Sequence, residues 1–263
     1  MKYSVYQVDA FSNQVFGGNP ACVIPLKKWM SDSILLQIAQ ENAVSETAFF
    51  IDNGRDIHLR WFTPDQEIDL CGHATLATAH ILKLILKYPL NEIRFDTMSG
   101  IVKVNCIDNV YYLDFPSRKP ESALLPPEIE KSLSIQPKEV FKSRDYMLVY
   151  DTQKEIEDIK INRYLFDQIN LGYGGVIVTS KASLIDIDFV SRYFTPQATI
   201  LEDSVTGSAH CTLIPFWSSR LNKKELEALQ LSYRGGRLRC VDMLDRVLIG
   251  GEAKLFSKGE FRL

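Results

Sequence analysis

The side chains best suited to moving protons gather at a few points in this chain. Glu46 lies in Val44-Ser45-Glu46-Thr47-Ala48-Phe49-Phe50, at the mouth of an otherwise apolar strand. A carboxylate partly buried beside Phe49 or Phe50 is expected to have a raised pKa, which suits a base that takes a proton from carbon. An exposed glutamate on a strand edge fits the same residues equally well. Asp203, in Leu201-Glu202-Asp203-Ser204-Val205-Thr206-Gly207, precedes a predicted helix start, and helix capping competes with chemistry there. Its approximate counterpart earlier in the chain is Asp69, and its neighbour Glu202 is expected to be solvated. His73 and Ser208 each follow a glycine, Gly72 and Gly207.

The elements that would position these groups are two helices without charge. Leu70 to Leu82 contains no Asp, Glu, Lys or Arg, and neither does Ser204 to Ser219. A helix that is apolar all round is buried all round. Each predicted helix therefore starts, inside the protein, at a glycine followed by a polar residue. Unpaired N–H groups and the positive end of the dipole suit a carboxylate or enolate oxygen there. The alternative is that each glycine only permits a tight turn. If the two halves of the chain face each other, both helix starts would converge on one cleft.

Other candidates fit less well. Cys71, His73 and His80 match no common zinc spacing and include a single thiol, so no metal is expected. His80 reads as a core histidine, and packing is the better reading of His210. Phe16-Gly17-Gly18-Asn19-Pro20 matches neither a P-loop nor a dinucleotide fingerprint; it reads as a turn, with Asn19 available to hydrogen-bond a ligand. No serine lies in a G-x-S-x-G elbow.

The chain also repeats itself. Trp61-Phe62-Thr63-Pro64 returns as Tyr193-Phe194-Thr195-Pro196, followed by Gly72-His73-Ala74 and Gly207-Ser208-Ala209 respectively. Ahead of each tetrapeptide the order is strand, helix, strand. The first half runs Ala21–Ile24, a helix over 31–42 and Glu46–Ile51; the second runs Tyr146–Tyr150, a helical pattern near 162–170 and Gly175–Thr179. Ser31 is the expected N-cap of the first helix, with Ile34, Leu35, Ile38 and Ala39 on its buried face. Ile57, Leu59 and Trp61 alternate with His58, Arg60 and Phe62 as a strand does. Prolines 116, 120, 126 and 127 mark the break, giving domains 1–116 and 117–263, with a tail over 252–263 that has no counterpart and is free to pair with the first.

With 263 residues, 46% apolar and 24% charged, the chain can fill real cores. A net charge of −3 offers no electrostatic footprint for nucleic acid or an anionic membrane surface. There is no signal-peptide pattern and no apolar run of the roughly 20 residues that span a bilayer. Five scattered cysteines without a C-x-x-C pair suit a reduced, cytoplasmic protein.

Several segments, in order from about residue 8 to 217, resemble the PhzF-like (phenazine biosynthesis) family. They are Val8-Asp9-Ala10-Phe11 with Gly18-Asn19-Pro20-Ala21; Ser45-Glu46-Thr47-Ala48-Phe49; Phe62-Thr63-Pro64 with Leu70-Cys71-Gly72-His73-Ala74-Thr75; Ser191-Arg192-Tyr193-Phe194; and Glu202-Asp203 through His210. The resemblance implies an α+β, diaminopimelate epimerase-like fold of two pseudo-symmetric domains, each a mixed sheet or barrel wrapped around a buried helix. It implies an isomerase without cofactor or metal, acting on a small carboxylated metabolite, and a homodimer. By motif, Glu46 matches the catalytic acid/base, and His73, Asp203 and Ser208 match assisting positions. Asn19, Gly72 and Gly207 fall in pocket-lining segments. Related epimerases place a cysteine at both helix starts, whereas here Cys71 is answered by Thr206. That favours a single carboxylate base over the rivals, a racemase or epimerase using Cys71 and a catalytically silent ligand-binding protein.

Overall fold

The computed structural model describes residues 1–54 and 56–263. The chain divides into two units, Met1–Phe115 with Leu248–Leu263, and Pro116–Val247. The stretch from Leu248 onward therefore lies with the first unit rather than with domain 117–263. Its last strand explains this: residues 253–262 pair antiparallel along the whole first strand, from Lys2↔Arg262 to Ala10↔Ala253.

In the first unit the elements are β1 (Lys2–Ala10), β2 (Asn19–Pro25), α1 (Asp32–Asn42), β3 (Glu46–Asp52), β4 (Ile57–Phe62), β5 (Glu67–Ile68), α2 (Gly72–Leu84), β6 (Glu92–Thr97), β7 (Gly100–Ile107) and β8 (Val110–Pro116). In chain order there follow β9 (Glu121–Ser122), α3 (Pro127–Ser132), β10 (Glu139–Lys142), β11 (Tyr146–Val149), α4 (Gln153–Asp158), α5 (Arg163–Phe166), β12 (Val176–Lys181), β13 (Phe189–Phe194), β14 (Glu202–Asp203), α6 (Gly207–Leu221), β15 (Glu225–Gln230), β16 (Gly236–Asp242), β17 (Arg246–Gly251) and β18 (Ala253–Arg262).

The duplication holds strand by strand. In the first unit β2 and β3 are parallel, β3 and β4 antiparallel, β4 and β5 antiparallel, and β4 and β6 parallel. In the second, β11 with β12, β12 with β13, β13 with β14 and β13 with β15 repeat those four pairings in the same senses. Even a side-chain device recurs. Arg60 grips Glu67 through Nε and Nη2 at 2.7 and 2.6 Å and lies over Phe62; Arg192 grips Glu202 at 2.6 and 2.9 Å and lies over Phe194. Glu202 is thus paired rather than solvated, because β14 folds back on β13 and brings an arginine to it.

The charge-free runs form α2 and α6, and both are buried along most of their length. α2 packs against β1, β2, β3 and β18, burying Leu76, Ile81 and Leu82 almost completely. Each such side chain contributes about 1.5–3 kcal/mol relative to exposure. α6 packs on β15 and β16 and carries Pro215 without ending there, continuing to an αL cap at Asn222.

Ser31 is the N-cap of α1, as expected, with its hydroxyl 3.1 Å from that of Ser33 rather than bonded to a helix N–H. Two local expectations are corrected. Leu35, Ile38 and Ala39 are buried on α1 but Ile34 is exposed. The helix near 162–170 is only the four-residue α5, because the chain leaves it through turns closed by Gln168 N to Leu165 O and Gly172 N to the Asn170 side chain. No helix among the described residues is long and apolar enough to cross a membrane.

Candidate active site

In the first unit four sequence-predicted positions meet around one imidazole. Gly72 opens α2, so His73 sits in its first turn, inside the fold. Glu46 is the first residue of β3, set there by the parallel pairing of Ala21 with Glu46. Asn19 opens β2 after Gly18, whose φ of +66° and closeness to the Ala10 carbonyl leave no room for a Cβ.

The geometry places the ring between two groups. His73 Nε2 lies 2.8 Å from Glu46 Oε2, an ion-pair contact off the line of an ideal hydrogen bond, and neither atom has another partner among the described residues. The side chains are 4% and 15% exposed, so the glutamate is enclosed but still reaches solvent. On the other side, Nδ1 is 3.1 Å from Asn19 Nδ2 and 3.6 Å from Cys71 Sγ. An amide can turn its N–H or its C=O toward the ring, so Asn19 serves the neutral and the charged imidazole alike.

Burial alone would lower the His73 pKa, but Cys71 and Glu46 outweigh it and hold the imidazole well above its ordinary value. Burial also raises the Cys71 thiol. What lies against Glu46 is thus a buried imidazole with a raised pKa, not the aromatic surface expected from its neighbours in sequence.

The ligating atoms of Glu46, Cys71 and His73 all lie within 4.8 Å of one another, the only such group among the described residues. The ring stands between the other two, offering Nδ1 to the sulfur and Nε2 to the carboxylate. A single ion cannot bind both nitrogens of one imidazole, so the arrangement suits proton chemistry better than coordination. His80 is elsewhere: it meets Tyr111 OH at 3.1 Å, and burial with nearby Lys254 lowers its pKa to about 4.

In the second unit, Gly207 and Ser208 open α6 behind an extended Thr206. Thr206 donates its hydroxyl to Asp203 Oδ2 at 2.6 Å and accepts from Gln230 Nε2 at 3.1 Å. The register also corrects the counterpart of Asp203. Tyr193 pairs with Asp203 as Trp61 pairs with Ile68, so the matching residue is Ile68 and not Asp69. Asp203 has no acidic equivalent in the first unit. His210 packs on Phe189 with Nδ1 2.8 Å from the Thr206 carbonyl, and burial lowers its pKa to about 4.

The glutamate has no equivalent either. Thr47 pairs with Phe62 as Val176 pairs with Phe194, which puts Gly175 where Glu46 would be. A Cβ there would stand 2.5 Å from Tyr193 Cζ and 2.7 Å from the Phe194 carbonyl. Sequence reading missed two residues of this unit, Arg144 and Asp145. Asp145 is fully buried and Arg144 Nη2 donates to Ser208 Oγ at 2.8 Å. Their one signal was an Arg-Asp pair directly before a strand, which looks like an ordinary solvated turn.

A family model described as phenazine biosynthesis-like protein (PhzC-PhzF) matches residues 8–259. An uncharacterized isomerase of Pseudomonas aeruginosa is 43% identical over the full length of both chains. The crystal structure of a PhzF-family protein from Enterococcus faecalis superposes with a TM-score of 0.94 at 45% identity, covering all of both chains. A hydroxyproline epimerase from Agrobacterium vitis, 11% identical, superposes with a TM-score of 0.62 over 98% of this chain and 92% of its own, which speaks to fold alone. The fold is α+β and diaminopimelate epimerase-like.

Proposed function

The chain belongs to the phenazine biosynthesis-like (PhzC-PhzF) family, and from that premise we propose that it is an isomerase that moves a proton on a small carboxylated metabolite, with Glu46 as its acid/base. The observation that carries this reading is the Glu46–His73 pair. A partly enclosed carboxylate at 2.8 Å from a buried imidazole is held at a fixed point and still open to a ligand. Glu46 removes a proton from a carbon acidified by a neighbouring unsaturated or carboxylate group and returns it elsewhere on the same molecule. The charged His73 ring orients Glu46 and offsets negative charge developing near the start of α2. Asp203, with no equivalent in the other unit, is the second candidate for returning the proton.

A racemase built on Cys71 is disfavoured by its chemistry here. The thiol is buried, its pKa is pushed up, and the equivalent position holds Thr206, whose hydroxyl is committed to Asp203. The test is incubation with a panel of carboxylic-acid metabolites in deuterated water, followed by proton NMR. Carbon-bound deuterium is expected with the native protein and with Cys71→Ala, and not with Glu46→Gln. Normal exchange by Glu46→Gln would remove the central assignment; ligand binding without any exchange would leave a silent binding protein.

A further inference from the structure

Asp145, fully buried in the second unit, accepts four hydrogen bonds. Oδ1 accepts from Gly175 N at 2.9 Å, Tyr193 OH at 3.0 Å and Arg144 Nε at 3.2 Å, and Oδ2 accepts from Arg144 Nη2 at 3.0 Å. Burial, reinforced by Asp145, holds the Tyr193 phenol well above its ordinary pKa, so it remains a donor. Four hydrogen bonds, three to Oδ1 and one to Oδ2, hold the Asp145 carboxylate in place. Its role is to fix the guanidinium in one plane.

That plane has a free edge. Nη2 bridges Asp145 and Ser208 Oγ, while Nη1 has no partner among the described residues and is not enclosed, the side chain being 23% exposed. Because Ser208 Oγ accepts from a cation, its own hydrogen must point elsewhere, and it finds no acceptor among the described residues. Arg118 adds a second positive charge. Its backbone N–H holds the Cys211 carbonyl at 2.8 Å, one turn along α6 from Ser208, and its buried Nη1 has no partner among the described residues. Arg144 and Arg118 thus both bring a guanidinium to the first turns of α6.

The first unit gives an independent parallel. Cys22 occupies in its ladder the place that Tyr146 occupies in the second, so Arg144 stands one residue beyond the counterpart of Asn19. Asn19 reaches the residue after the glycine of α2, and Arg144 reaches the residue after the glycine of α6. The same strand start braces the same helix position, with an amide in one unit and a cation in the other.

We propose that Arg144 is a carboxylate-anchoring residue, presenting its Nη1 edge together with the Ser208 hydroxyl to the ligand's carboxylate. This deepens the isomerase reading by naming what grips the metabolite, and it rests on that reading only for the ligand's identity. A planar fork beside a single hydroxyl matches a carboxylate's two oxygens.

The test is binding, so it stands or falls apart from turnover. The full chain, labelled with nitrogen-15, is titrated with benzoate and with the uncharged benzamide, following the Ser208 and Ala209 amides. Benzoate is expected to shift both saturably and benzamide to shift neither. Arg144→Lys, which keeps charge without the fork, is expected to bind several-fold more weakly. Arg144→Gln strands buried Asp145, so the double variant Arg144→Gln/Asp145→Asn keeps the fold testable; about a tenfold or greater loss is expected, the scale of one charge-assisted hydrogen bond. Benzoate binding unchanged in the double variant, or binding that leaves Ser208 and Ala209 unmoved, overturns the proposal.

Discussion

Replacing Glu46 with glutamine keeps the shape of the side chain and removes its charge, leaving His73 buried without its counterion. With nitrogen and oxygen 2.8 Å apart, the charge centres of the two groups are about 4 Å apart, worth about 4 kcal/mol at an effective dielectric constant of about 20. Burial of the ring takes part of this back, and the His73 pKa is expected to fall when the carboxylate is removed. The sign for stability follows. In the native protein the folded pKa of His73 is raised, so the pair's contribution is complete below the unfolded histidine value near 6.5 and is lost as pH rises through the folded value. Glu46→Gln should therefore be less stable than the parent at about pH 6, with the gap closing under alkaline conditions. Imidazole NMR titration gives the midpoint, and urea unfolding at both ends of that range gives the gap. An unchanged His73 midpoint, or a stability gap the same at both ends, would refute the reasoning.

The cysteines give a second check: four are buried and Cys106 is intermediate, so one thiol should react quickly with a bulky disulfide reagent in the native state. Rapid modification of Cys71 in that assay would reopen the thiol mechanism. Gly175→Ala should cost about 1–3 kcal/mol in urea unfolding, because its Cβ meets the Tyr193 ring and the Phe194 carbonyl; a neutral substitution would mean those groups move freely. Burial depresses the folded pKa of His80 and His210 to about 4, so their contribution is present above about 6.5 and is lost as pH falls through about 4. NMR should show both rings neutral at pH 5; ordinary midpoints near 6.5 would contradict their burial.

The parts of this protein visible in its sequence are those written in local pattern. Charge-free runs announce α2 and α6, because a buried helix cannot carry unpaired charge. The repeated tetrapeptide shows the duplication, because both copies fill the same place on a sheet. Glu46 stands out because it opens an otherwise apolar strand. What stayed hidden depends on partners distant in the chain. Asp145 is buried by Gly175 and Tyr193, 30 and 48 residues away, and no local signal separates it from a surface turn. Glu202 looked solvated because Arg192 reaches it only across the β13–β14 pairing. Asp203 was matched to Asp69 by rough position, and only the ladder shows that the matching residue is Ile68. The imidazole beside Glu46 could not be deduced from Phe49 and Phe50, its neighbours in sequence.

The glycine at position 175 has an evolutionary and an engineering consequence. Two copies of one ancestral scaffold have parted ways, and the route back is closed. A second glutamate installed there would have to displace the Tyr193 ring and the Phe194 carbonyl before it could reach anything. No one-step substitution at that site converts the later copy into a mirror of the earlier. On the reading proposed above, a lineage built this way keeps its carboxylate base in the earlier copy alone, and installing a second would mean rebuilding a wall rather than changing a residue.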